Sequence, residues 1–134
     1  MMLIGIGNEW RSDDGAGLEV ARRLGGQEFQ GEPIGLVEVL DGADEVTIAD
    51  AVFSGAPPGT VHDFEAGAEP LPVALFGAAS THALGLAEAI EIARSLGRLP
   101  ARVRVLGIEG ARFDYGRGLS PEVEEAVEKC TRSI

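Results

Sequence analysis

Residues Gly5 to Gly17 read GIGNEWRSDDGAG, entered by an apolar run, Met1 to Ile6, and left by an amphipathic one, Leu18 to Leu24. Strand, tight polar turn and helix follow from that order. Gly5 and Gly7 let the backbone turn sharply or approach another chain segment closely. Ser12 reads as an N-cap, which places Asp13 and Asp14 in the first helical turn, where the dipole favours carboxylates. A dinucleotide fingerprint would need a third glycine where Trp10 stands, and two acids with only Arg11 as a base suit an anion poorly. From this loop alone, the two acids have a plain alternative reading as helix-capping groups.

Outward from the turn, the chain alternates strands and helices. Strand one is Met2 to Ile6, and a helix from about Asp13 to Leu24 is stopped by Gly25 and Gly26. An extended piece around Glu28 to Gln30 reads as an edge strand, and Pro33 starts a brief helical segment through Leu40. Glu45 to Val52, EVTIADAV, reads as a buried strand, followed by the loop Ser54 to Gly59 and a short strand, Thr60 to Phe64. That short strand follows its neighbour without a crossover helix, so antiparallel pairing is predicted. An irregular connection, Ala66 to Pro72, leads towards a helix over His82 to Leu96 closed by Gly97 and Pro100. Arg102 to Ile108 reads as a strand, Gly110 to Leu119 as a glycine-rich loop, and Ser120-Pro121 as the start of a last helix. That helix carries Val123, Val127, Cys130 and Ile134 on one stripe, so Cys130 reads as a core filler. The fold class is α/β, a three-layer α/β/α sandwich with helices on both faces of a mostly parallel sheet.

The bulk numbers bound the function. A chain of 134 residues suits one domain, residues 1–134, with a single core. The formal net charge of -11 argues against nucleic acid, because little here could neutralise a run of phosphates. No apolar run has the length of a membrane span, and the start lacks the pattern of a signal peptide, so the expected location is the cytoplasm. One cysteine excludes an internal disulfide framework and a Cys-based zinc knuckle.

Ligands of open α/β sheets sit beyond the C-terminal strand ends, where connections depart in opposite directions. Asn8, Asp13 and Asp14 follow strand one, and Asp50 lies near the end of the Glu45 to Val52 strand. If those strands are neighbours, the groups meet over one crevice. Asp50 interrupts an apolar run, and a buried lone carboxylate is costly unless paired or metal-bound; the alternative is that the strand has ended and Asp50 is solvated. His82 opens its helix on the core-facing stripe, with capping as its plain alternative, while His62 reads as solvent-facing. Asp14, Asp50 and His82 form an O,O,N set suited to nickel, zinc, manganese or iron rather than calcium or magnesium. Three protein ligands leave positions open for water or substrate, so such a site can polarise a carbonyl and activate water. No HExxH helix, GxSxG elbow or suitably partnered cysteine offers a rival.

The GIGNEWRSDDGAG turn, then ADAVFSGAPPGTV, then Ala79-Ser80-Thr81-His82 with Gly85 and Leu86, then LPARVRVLGIEG, resemble the hydrogenase maturation proteases in order over nearly the whole chain. The resemblance implies a five-stranded sheet with one antiparallel strand. It also implies an endopeptidase that removes a C-terminal extension from a nickel–iron hydrogenase large-subunit precursor after nickel insertion. Asp14, Asp50 and His82 then correspond to the family's metal-contacting positions and are the candidate catalytic residues. Nickel is supplied by the precursor, and no organic cofactor is expected. Asn8, Trp10, Arg11 and Asp13 are the candidate substrate contacts; no membrane or nucleic-acid partner is expected. Two other readings stay open, a metallopeptidase or amidohydrolase with its own zinc and a non-catalytic metal-sensing assembly module.

Overall fold

The computed structural model describes residues 1–77 and 84–134. Strand β1 (Met2–Ile6) leads through a 3-10 turn (Ser12–Gly15) into α1 (Ala16–Leu24) and the short β2 (Gln27–Phe29). A second 3-10 turn (Pro33–Gly35) and α2 (Leu36–Leu40) return the chain to β3 (Glu45–Val52), followed by β4 (Val61–Glu65). Then come α3 (Val73–Phe76), α4 (Leu86–Ser95), β5 (Arg102–Glu109) and α5 (Pro121–Ser133).

The sheet has five strands in the order β2-β1-β3-β5-β4, with β4 antiparallel to β5 and every other pairing parallel. This is the expected α/β class. From β1 the chain steps out to β2 and then back past β1 to β3, so the point of opposite departures lies between β1 and β3. Ile4 is paired with Ile48, and Asp50 with Gly107, which sets the ends of β1, β3 and β5 beside one another.

Alternation along the strands sorts the core into two layers. Val46, Ile48 and Val52 join Ile4, Leu36, Leu86 and Ile90 on one face. Ala49 joins Ala16, Val20, Leu106, Val123, Val127 and Cys130 on the other. Asp50 shares the parity of Ile48 and Val52, so it belongs to the face covered by α2 and α4. Helix α1 lies very close to the sheet: a Cβ on Gly17 would sit 2.2 Å from the Ala49 carbonyl oxygen, and one on Gly5 would sit 2.1 Å from that of Gly17. Only glycine permits this approach.

Several local expectations shift. The edge strand lies one residue earlier than read. Ser12 does not cap α1: it has a φ of +53°, and its hydroxyl donates to the Asp114 carbonyl at 2.9 Å. The fourth helix begins at Leu86 rather than at His82, with extended Gly85 as its N-cap and the Gly85 N–H donating to Glu88 at 2.8 Å. His82 itself lies outside the described residues. One-turn α3 is too short for its periodicity to announce it. Among the described residues, no helix is long and apolar enough to cross a membrane.

Candidate functional site

A cavity of about 630 Å³ opens beyond the C-terminal ends of β1 and β3. Asp14 and Asp50 lie in it, beside Ile6 and Gly7. Val73, Leu75 and Phe76 give it apolar lining, and Arg11, Arg112 and Phe113 also line it. Gly77 and Gly85, which flank 78–83 in the chain, also line it.

Asp50 is still within β3 and hydrogen-bonds locally, Oδ1 accepting the Ala51 N–H at 2.8 Å. Asp14 Oδ2 accepts the Asn8 N–H at 3.0 Å, which ties it to the turn after β1. Burial, and then the charge of Asp14, push the Asp50 carboxyl up to about 8, against the opposing Ala51 hydrogen bond. Two carboxylates that resist ionising together are relieved either by a proton or by a cation, and they supply two oxygen donors for one. Among the described residues, no group of three His, Cys, Asp or Glu side chains could hold a metal ion. The third expected donor, His82, lies outside them.

The remaining expected site residues separate. Arg11 lines the cavity, with its guanidinium carbon 5.0 Å from the centre of the Tyr115 ring. Trp10 is 54% exposed and carries Arg117 over its ring at 4.8 Å. Asn8 serves the turn itself, its side-chain carbonyl accepting the Trp10 N–H at 2.9 Å. Asp13 faces inward, not toward the cavity: it is fully buried and accepts four hydrogen bonds. These come from the N–H groups of Ala111, Arg112 and Ser120 and from the Ser120 hydroxyl. Burial raises its pKa, but the four donors outweigh that and hold the carboxyl below its ordinary value. Asp13 is therefore an anchor, and the expectation of a substrate contact is corrected by its lack of exposed surface.

Asp13 and its neighbours fasten two distant loops into one rim. The Ser12 N–H donates to Gly116 at 2.9 Å, the Asp13 N–H to Arg112 at 3.1 Å and the Gly116 N–H to Trp10 at 2.9 Å.

Glu109, at the end of β5, was not singled out from the sequence. It is fully buried, and it accepts the Ser54 N–H and hydroxyl at 2.6 Å each. His62 Nε2 lies 3.2 Å from its Oε1, so that histidine is partly buried and partnered rather than solvent-facing. Burial raises the Glu109 pKa, but Ser54 and His62 together bring it below the ordinary value. The signal that could have found it is the one that found Asp50, a carboxylate at the end of an apolar strand.

A mostly parallel α/β sheet with two carboxylates lining its switch-point crevice defines the class of this molecule. A family model described as hydrogenase maturation protease matches residues 31–134. The chain belongs to the hydrogenase maturation protease family. The hydrogenase 2 maturation protease of Escherichia coli K12 is 26% identical over 148 residues, covering 100% of this chain and 87% of that protein. The hydrogenase expression/formation protein HupD of Thiocapsa roseopersicina is 29% identical over 140 residues, and the match spans 95% of this chain and 62% of that relative's length. The solved structure of the hydrogenase maturating endopeptidase HybD from E. coli has the same fold, with a TM-score of 0.79 at 23% identity over 98% of this chain and 87% of that one.

Proposed function

We propose that this chain, acting as a single domain, is a processing endopeptidase. It removes the C-terminal extension of a nickel–iron hydrogenase large-subunit precursor after nickel has been inserted. The observation that carries this reading is the meeting of Asp14 and Asp50 in one cavity at the switch point, within a chain of that family.

Asp14 and Asp50, with His82 as the third donor, engage the nickel that arrives with the precursor. Charge complementarity supports the assignment, since Asp50 is held largely protonated by burial and by Asp14, and a divalent cation removes that penalty. Engaging the metal sets the register of the tail over the cavity and makes cleavage depend on a loaded precursor. The chemistry is hydrolysis at a polarised carbonyl, with a carboxylate holding the attacking water. Trp10 and Arg11, on the turn beside the cavity, contact the precursor.

Intact-mass spectrometry of a candidate precursor, incubated with this protein with and without nickel loading, tests the reading. Loss of a C-terminal peptide only from the nickel-loaded precursor is the expected result. Cleavage regardless of nickel would favour a self-sufficient peptidase, and a loaded precursor of unchanged mass would overturn the proteolytic role.

A further inference from the structure

The chain carries 22 acidic side chains against 11 basic ones, and every arginine but one is used up by that excess. Among the described residues, Arg22, Arg23, Arg94, Arg98, Arg102, Arg104, Arg112, Arg117 and Arg132 each make an ion pair with a carboxylate. Arg11 makes none. It is also the arginine of the turn after β1, and it lines the same cavity as Asp14 and Asp50. In a chain with twice as many acids as bases, this guanidinium at the cavity wall stands without a carboxylate partner among the described residues.

Its setting is built rather than incidental. The Arg11 N–H donates to the Asn8 carbonyl at 3.1 Å, and the Arg11 backbone bridges to Gly116 across the rim. The next residue, Ser12, keeps a left-handed backbone with a φ of +53°, held by the carbonyls of Gly116 and Asp114. A strained residue persists where its surroundings over-determine it, and such residues cluster at binding sites. Tyr115, 82% exposed, places its ring beside the guanidinium, whose carbon lies 5.0 Å from the ring centre. A cation–π contact of this kind uses none of the guanidinium's N–H donors, which suit a planar, two-oxygen acceptor.

We propose that Arg11 is a specificity-determining residue that binds a carboxylate of the precursor's tail. The proposal rests on the processing function above and names what the cavity wall reads. The carboxylate has two sources, an acidic side chain in the tail or the tail's own terminal carboxylate. Either would otherwise be repelled by a chain of net charge -11, so the unpaired guanidinium selects where it can lie. Arg11 positions the substrate; it does not take part in bond cleavage.

The test uses the full chain and dye-labelled peptides copying the tail of a candidate large-subunit precursor, with binding read by fluorescence anisotropy. Three peptides are compared: fully charged, amidated at the C-terminus, and with acidic side chains replaced by amides. The wild-type chain is expected to lose about tenfold in affinity for one of the two modified peptides, which identifies the source. Arg11→Ala should erase that difference, and Arg11→Lys should restore part of it. Equal affinity of the wild-type chain for all three peptides, no binding at all, or discrimination surviving in Arg11→Ala would overturn the proposal. On a precursor that the wild type cleaves, Arg11→Ala should raise KM about tenfold and leave kcat nearly unchanged; a fall confined to kcat would also overturn it. If the wild type leaves the loaded precursor uncut yet discriminates the peptides through Arg11, the processing reading fails while the carboxylate site stands.

Discussion

Asp13 and Ser120 lie 107 positions apart and are joined twice, the Ser120 N–H donating to Oδ1 at 2.7 Å and its hydroxyl to Oδ2 at 2.8 Å. Ser120 opens α5, yet its side chain makes no hydrogen bond to its own helix. The capping interaction has been exchanged for a tie between the first loop and the last.

Replacing Asp13 should therefore act on stability before chemistry. Asp13→Asn keeps the shape but turns an acceptor into a donor facing N–H groups already in place. A loss of about 2–4 kcal/mol is expected, a fall in Tm on the order of 10 °C. A thermal melt followed by circular dichroism measures it; an unchanged midpoint would show that the anchor is dispensable.

Asp50 should give the protein an unusual pH dependence. Its pKa is raised on folding, from 3.8 to about 8, so the folded state holds a proton that the unfolded state has lost between those values. The associated stability is fully present below the unfolded value and disappears as pH rises through the folded one. Wild type should lose stability between about pH 4 and pH 8 relative to Asp50→Asn, by a few kcal/mol at most. Under the proposed function, processing should run the other way, rising with pH as the carboxylate ionises, and Asp50→Asn should abolish it. Parallel stability curves for the two proteins would refute the assignment of the shift.

Glu109 has the opposite sign. Its pKa is lowered on folding, so its contribution is present above the ordinary carboxylate value of 4.5 and is lost as pH falls through the folded one. Glu109→Gln should lower stability at neutral pH, since an amide keeps one acceptor oxygen and puts an NH2 donor at the other position, so it cannot serve both the Ser54 N–H at Oε2 and the Ser54 hydroxyl and His62 at Oε1. It should also flatten the acid limb of the curve. Denaturant titrations at neutral and acid pH distinguish this from a simple loss of packing, which would leave the slope with pH intact.

The glycines make a contrast that a pair of variants can expose. Gly17→Ala would drive a methyl group against the carbonyls of Ala49 and Ile6, at 2.2 and 2.6 Å, and should cost about 3 kcal/mol or more. Gly25→Ala meets nothing within 4 Å and bears only its left-handed backbone, φ +72°, at about 1 kcal/mol. Equal losses in the two variants would mean that α1 does not rest on the sheet as closely as described.

What the sequence disclosed follows from what is local. Met2–Ile6 and Glu45–Val52 are apolar runs closed by turn residues, so both strands could be read, the first to the residue and the second up to an end left open around Asp50. The antiparallel β4 was legible because no room exists for a crossover. The start of α4 was not, because the spacing of Leu86, Ile90 and Ala93 extends smoothly backwards and only extended Gly85 stops it. Asp13 and Asp14 look interchangeable as neighbouring letters. Which one turns inward is decided by donors near residue 111 and at Ser120, about a hundred positions away. The partners of Glu109 were hidden for the same reason: Ser54 and His62 lie 55 and 47 positions from it.

The union of the first loop with the loop after β5 has a consequence for anyone redesigning this molecule. The two segments cannot be exchanged separately. A turn transplanted after β1 would bring an anchor whose partners, at Ala111, Arg112 and Ser120, remain behind in the recipient, and a new last loop would face an Asp13 it was not shaped to receive. Retargeting the cavity wall means moving both as a single cassette, with Arg11 and Tyr115 travelling together.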